Sequence, residues 1–121
     1  IEFIAYSPLS FGILCQDPKF IKKTNKSFLR DAVFKAYSAS TIELRKSIKE
    51  IAEKRSVSMA QVAVNWCCYQ GAIPLVGLRK TTHVLDISKV LKWDLSKEEY
   101  DKLEKLSQNC KKLPGNPFSS N

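Results

Sequence analysis

Two short clusters carry the residue types that could hold an anion. Gly77-Leu78-Arg79-Lys80 follows the apolar run Ala72–Val76 and precedes a helical pattern beginning at Thr81. A loop entering a helix start offers free backbone N–H groups, and the helix dipole adds positive potential there. Arg79 contributes a planar guanidinium fork that matches phosphate oxygens. By residue type alone, however, Arg79-Lys80 reads first as a solvated basic pair. The second cluster is Tyr6-Ser7-Pro8-Leu9, where backbone N–H groups and a hydroxyl in a turn can also face an anion. Tyr6 by itself reads first as a core aromatic beside Pro8, and His83 as an ordinary surface imidazole. The four cysteines, Cys15, Cys67, Cys68 and Cys110, fit no zinc spacing, so no metal site is expected. The neighbours Cys67 and Cys68 are poorly placed to bridge each other. Buried free thiols in a reducing compartment are expected.

Charge points the same way without naming a partner. The 20 Lys+Arg against 12 Asp+Glu give a net charge of +8, which suits nucleic acid, a membrane surface or a phosphorylated small molecule. From Lys19 to Lys35 six basic residues accompany the single acid Asp31. Such a stretch is first a solvated loop and only second a phosphate-facing one. No apolar run nears the roughly 20 residues that cross a bilayer, so no membrane partner is expected. Ile1 stands where a natural start would have Met, so a trimmed or internal start is expected.

The elements that must position these clusters follow from periodicity. Phe3–Tyr6 is short and apolar and ends at Ser7-Pro8, the pattern of a buried strand. Residues 10–40 are mostly irregular, with one short helix hinted at by Phe28, Leu29, Ala32 and Val33; so long a connection is often a binding loop. Residues 41–55 place Leu44, Ile48, Ile51 and Ala52 on one helical face. Ser58-Met59-Ala60-Gln61 has the capping-box pattern and opens a helix through Val62, Ala63, Trp66 and Tyr69 to Gly71. Ala72–Val76 reads as a buried strand, although Pro74 argues against a fully paired interior position. Thr81 is expected to cap a third helix with Val84, Ile87, Val90 and Leu91 inward. Ser96–Glu99 is a second capping box, opening a helix that buries Tyr100, Leu103 and Leu106. The tail around Leu113-Pro114-Gly115-Asn116-Pro117 is irregular. Two strands joined by so long a crossover should be parallel, and alone they would leave edges and apolar faces open. The chain reads as an incomplete α/β domain.

Four segments in register resemble the aldo-keto reductases. Ile4-Ala5-Tyr6-Ser7-Pro8-Leu9 is similar to their seventh barrel strand and its turn. Ile51–Lys54 with Ser58–Trp66 resembles the helical pair before the last strand. Ile73–Lys80 resembles the eighth strand and the cofactor loop, and Lys92-Trp93-Asp94-Leu95-Ser96 the link to the closing helix. The plant, plastid-type branch is the most similar, including the Pro-rich end. The resemblance implies a (β/α)8 barrel of about 250 residues. Residues 1–121 would then be the C-terminal fragment of one such domain: its last two strands, their helices and a tail, mostly helical in content.

The same resemblance implies an NADPH-dependent oxidoreductase that reduces aldehydes or ketones. It places Tyr6 against the nicotinamide ring and Ser7, Pro8 and Leu9 along the pyrophosphate. Val76, Gly77, Arg79 and Lys80 fall on the cofactor strand end and loop, where the Arg79 guanidinium suits the 2′-phosphate, which argues for NADP(H) over NAD(H). His83 matches a position near the adenosine and Asp86 one near the adenine. Gly12 keeps the family pattern, whereas Cys15-Gln16-Asp17 departs from it by putting an acid where a base is common; Lys19 or Lys22 would compensate. The family's catalytic Asp, Tyr, Lys and His belong to earlier strands. No residue of this chain matches them, His83 included, so the chain alone is expected to be inactive and to depend on the missing N-terminal part of the barrel. The alternative is a non-catalytic subunit that senses nicotinamide cofactors. Nucleic acid is disfavoured by the lack of a motif or aromatic platform. A cytoplasmic location is expected, with a plastid-type organelle as the alternative.

Overall fold

The computed structural model describes residues 1–6, 8–18, 32, 35 and 37–110. Two parallel strands, β1 (Phe3–Tyr6) and β2 (Ala72–Leu75), pair in the register Phe3↔Ala72 to Tyr6↔Leu75. Among the described residues the helices run as α1 (Ile42–Arg55), α2 (Met59–Tyr69), α3 (Thr81–Ile87) and α4 (Lys97–Ser107), and residues 37–40 are helical as well. Tight 3-10 turns occupy Ser10–Cys15 and Ser88–Lys92. The expected order of strand, crossover, two helices, strand and two helices is what the described residues show.

The helices follow the expected periodicity. On α1, Leu44, Ile48, Ile51 and Ala52 are all buried, at the spacing of one helical face. The opposite side carries exposed Glu43, Lys46, Glu50 and Lys54. Ser56 ends the helix at φ 54°, ψ 43°, its N–H returning to Ala52 and Glu53 carbonyls, while Lys54 and Arg55 complement the dipole in the last turn. Helix α2 ends before Gly71, whose φ of +76° is one that side chains disfavour. Helix α4 opens with the full capping box: Glu99 N–H donates to Ser96 Oγ at 3.2 Å, and Ser96 N–H donates to Glu99 Oε2 at 2.9 Å.

The core lies between helices, away from the sheet. Leu14, Leu44, Ile48, Ile51, Ala52, Val62, Ala63, Leu95 and Leu103 form one buried cluster, with Trp66 and Trp93 packed on it as expected. Both indoles also bond through Nε1, Trp66 to Glu104 at 2.8 Å and Trp93 to Gln61 at 3.1 Å. Buried Asn65 stitches the segment before α4 to α2. Its Nδ2 donates to the Trp93 carbonyl at 2.7 Å and the Val90 carbonyl at 3.3 Å, and its Oδ1 accepts from Leu95 N–H at 3.1 Å. Arg45 is also fully buried, donating from Nη2 to the Ser38 carbonyl and hydroxyl at 2.9 Å each.

Several expectations need correction. The strands form but are not buried: Phe3 is 73%, Ile4 61%, Ile73 46% and Leu75 55% exposed. Burial of a parallel strand needs cover on both faces and both edges, and the described residues supply only α2 and the partner strand. Val84 and Leu91 are exposed for the same lack of a neighbour, whereas Val90 is buried. Thr81 is not a cap; it is the first residue of α3, and Lys80 takes the cap position in extended geometry without a side-chain bond. At Ser58 only half the box forms, since Gln61 N–H reaches Ser58 Oγ at 3.1 Å but the Gln61 side chain turns to Asp86 and Trp93. The four cysteines are free, as expected, but only half-buried. Most of the Lys19–Lys35 stretch, including Lys19 and Lys22, lies outside the described residues, as do Phe28, Leu29, Val33 and the tail from Lys111. Among the described residues no helix is long and apolar enough to cross a membrane.

Candidate functional site

Parallel pairing with Tyr6 opposite Leu75 makes the two strands end together, so the segments after them leave the sheet side by side. After β1 the chain turns at once. Leu9 accepts from Gly12 N–H at 2.9 Å and Leu14 N–H at 3.4 Å, and Gly12 takes φ +87° to allow it. After β2 the chain passes without regular structure from Val76 to Lys80, whose backbone is extended, and then enters α3. Between the two segments opens a cavity of about 560 Å³.

Seven of the expected site residues line it: Pro8 and Leu9 from the first segment, and Val76, Gly77, Arg79, His83 and Asp86 from the second. Two do not. Tyr6 stands at the strand tip, 59% exposed, outside the cavity wall, and Lys80 is exposed beside it. Ser7 lies outside the described residues. Gly12, Cys15, Ala60, Leu78 and Ile87 line it too, none of them an expected site residue. Ala60 and Cys15 had local signals: Ala60 is the small residue two positions after the α2 cap, and Cys15 ends the turn that Gly12 folds back.

Gly77 does not need its lack of a side chain for conformation, since its φ is not positive. A Cβ there would meet no protein atom within 4 Å, so the backbone is bare at the cavity. Arg79 and His83 bring nitrogen donors to the same wall, a donor set that fits a phosphorylated ligand. Asp86 is the discordant member, but it is engaged: Oδ2 accepts from Ser58 Oγ and Oδ1 accepts from Gln61 Nε2 at 2.7 Å. The departure at Asp17 is also answered within the fold, by an ion pair with Lys49 on α1 at 2.5 Å.

Nucleophilic thiol chemistry is a poor fit. Burial first, and the Asp86 charge second, push the Cys15 thiol up to about 11, leaving it protonated at neutral pH. Burial raises Cys67, Cys68 and Cys110 as well. Among the described residues no group of three or more His, Cys, Asp or Glu side chains is placed to hold a metal ion.

A short parallel β-pair with crossover helices and a ligand-sized cavity at its C-terminal end is what α/β barrels use to bind substrates. The sequence pattern of the aldo/keto reductase family matches residues 1–108, and the chain belongs to that family. Among its relatives, the chloroplastic pyridoxal reductase of Arabidopsis thaliana is 35% identical over 104 residues, 86% of this chain and 28% of the relative. An aldo-keto reductase of Gibberella moniliformis is 28% identical over 113 residues, covering 88% of this chain and 34% of the relative. The NADPH-dependent alpha-keto amide reductase of Saccharomyces cerevisiae is 32% identical over 59 residues, 49% of this chain and 19% of the relative. The chain thus spans about a third or less of the length of these relatives. Membership implies a TIM-barrel fold, of which the described residues show two strands and mostly helix.

Proposed function

We propose that this chain is the C-terminal portion of a (β/α)8 barrel whose full-length form reduces aldehydes or ketones with NADPH, and that it supplies part of the cofactor site but none of the acid–base residues. The observation that carries the reading is the flush pairing of Tyr6 with Leu75, which sets the segments from Pro8 and from Val76 on one cavity. An extended dinucleotide can then touch both. When bound, the nicotinamide supplies the hydride.

The chain's own residues do the holding. Arg79 presents its guanidinium to the 2′-phosphate, with Lys80 beside it and His83 one turn on. Val76 and Gly77 give backbone approach, and Pro8 and Leu9 flank the pyrophosphate. The exposed Tyr6 ring offers a flat face at the strand tip where the nicotinamide would lie. The S. cerevisiae relative is named for NADPH dependence, which supports NADP(H) over NAD(H). Pyridoxal, in the Arabidopsis relative's name, is an aldehyde, which supports a carbonyl substrate.

The partner of this segment is the rest of the barrel. Phe3, Ile4, Ile73 and Leu75 are the faces it would cover, and without it the chain is inactive. We place the full-length protein in the cytoplasm; the chloroplastic name of the Arabidopsis relative supports a plastid as the alternative.

The direct test is Arg79→Ala in the full-length protein, with NADPH and NADH affinities measured by fluorescence titration. NADPH binding is expected to weaken by about 1.5–3 kcal/mol, the range for hydrogen bonds to a charged group, while NADH binding holds. Unchanged NADPH affinity refutes the placement of the 2′-phosphate.

A further inference from the structure

Helix α3 carries two of the proposed ligand residues or their immediate neighbours, yet it has little to hold it. It is seven residues long and buries none of its side chains. Val84 and Leu85 are exposed, and Ile87 is only half-buried. A helix of this length has no independent stability and must be fixed by its contacts.

Asp86 provides such a contact. Its two oxygens accept from two different side chains of the first turn of α2, Ser58 Oγ and Gln61 Nε2. Those donors are themselves fixed. Ser58 caps α2 through Gln61 N–H, and Gln61 is 2% exposed with its amide oxygen bonded to Trp93 Nε1. Trp93 in turn lies under the Arg55 guanidinium, 5.1 Å from the ring centroid. Neither Ser58 nor Gln61 lines the cavity. Asp86 sits three residues from His83, so it shares a helical face with it.

We infer that Asp86 is a positioning residue: its paired bonds to Ser58 and Gln61 fix α3 on α2 and thereby set where Arg79 and His83 stand at the cavity. This rests on the NADP(H) reading of the cavity and assigns Asp86 a task other than contact with the adenine. A carboxylate on the wall of a site for a polyanion would repel its ligand. One whose oxygens are satisfied by a buried amide and a capping hydroxyl presents less free negative potential there.

Ser58 gives a test that separates this role from ligand contact and from helix stability. In the full-length protein, Ser58→Asp keeps a good helix cap but replaces the donor to Asp86 with a second carboxylate. Ser58→Thr keeps the hydroxyl. NADPH and NADH dissociation constants and melting temperatures are measured for both, with Arg79→Ala alongside. Ser58→Asp is expected to weaken NADPH about tenfold, the scale of one charged hydrogen bond, with NADH affinity and melting temperature little changed. Ser58→Thr should stay within about threefold of the parent, and Ser58→Asp should add little to Arg79→Ala, because both losses pass through the same guanidinium. If Arg79→Ala weakens NADPH but Ser58→Asp does not, the positioning role is wrong while the cavity reading stands. A parallel fall in NADPH affinity, NADH affinity and melting temperature also overturns it, since Ser58 would then act only on stability. If Arg79→Ala has no effect, the cavity reading fails first.

Discussion

The helical side and the strand side of this molecule are built to different standards of completeness. Between α1, α2 and α4 the apolar positions are filled, and the buried amide of Asn65 is matched to partners on both its oxygen and its nitrogen. Across β1 and β2, by contrast, Phe3, Ile4, Ile73 and Leu75 face outward at 46–73% exposure. The lesson is that a helix–helix core can close within a chain while the faces of its sheet stay uncovered. The candidate site lies at the boundary between the two. Its α2 wall belongs to the finished side, and its strand tips belong to the unfinished one.

The contrast can be broken most severely at Asn65. Replacing it with Leu keeps the volume but takes the Asn65 partner from the Leu95 N–H and from the Trp93 and Val90 carbonyls. A loss of about 3 kcal/mol is expected in denaturant unfolding of the full-length protein, from three groups that lose a partner at about 1 kcal/mol or more each. A loss under about 1 kcal/mol would show that water reaches this seam.

A smaller effect is expected at the clasp between α1 and α4. Arg55 holds Glu99 through Nε at 3.1 Å and Nη2 at 2.7 Å. Burial by itself would raise the Glu99 carboxyl, but the bonds from Arg55 and the Ser96 amide outweigh it and hold it below the ordinary carboxylate range. A depressed acid adds stability above its unfolded pKa and loses it as pH falls through its folded one. Arg55→Ala should therefore cost about 2 kcal/mol at neutral pH. That difference from the parent should shrink once pH drops beneath the usual glutamate range. A pH-independent difference would mean that Arg55 acts through its stacking on Trp93 alone.

The strand side is sharpened by Leu75→Thr, which keeps β propensity but removes apolar surface. If the rest of the barrel covers this face, the full-length protein should lose about 1.5 kcal/mol, the lower end of the value for burying a Leu side chain. No loss would show that Leu75 is as exposed in the full-length protein as it is here.

Legibility in the sequence divides along the same line. The faces of α1 and the box at Ser96 were readable because their partners lie within a few residues or in the same periodic stripe. The burial of Phe3–Tyr6 is not legible because apolar composition reports what a strand needs, whereas exposure depends on neighbours that the described residues do not supply. Thr81 was misassigned because a hydroxyl marks a cap only if the backbone there is extended, and that geometry falls on Lys80. The gathering of Pro8, Gly77 and Arg79 was legible from the expected parallel pairing. The ties from Asp86 to Ser58 and Gln61 were not, because they cross 28 and 25 positions of chain without a periodic signal.

The level ending of β1 and β2 has an evolutionary corollary. Since Tyr6 and Leu75 stop at the same height, insertions or replacements beyond Leu9 can accumulate without altering where the other loop begins. The Cys15-Gln16-Asp17 run illustrates the point, since its one acid is held on its own side by Lys49. Two half-sites that share only a common baseline are free to drift at separate rates.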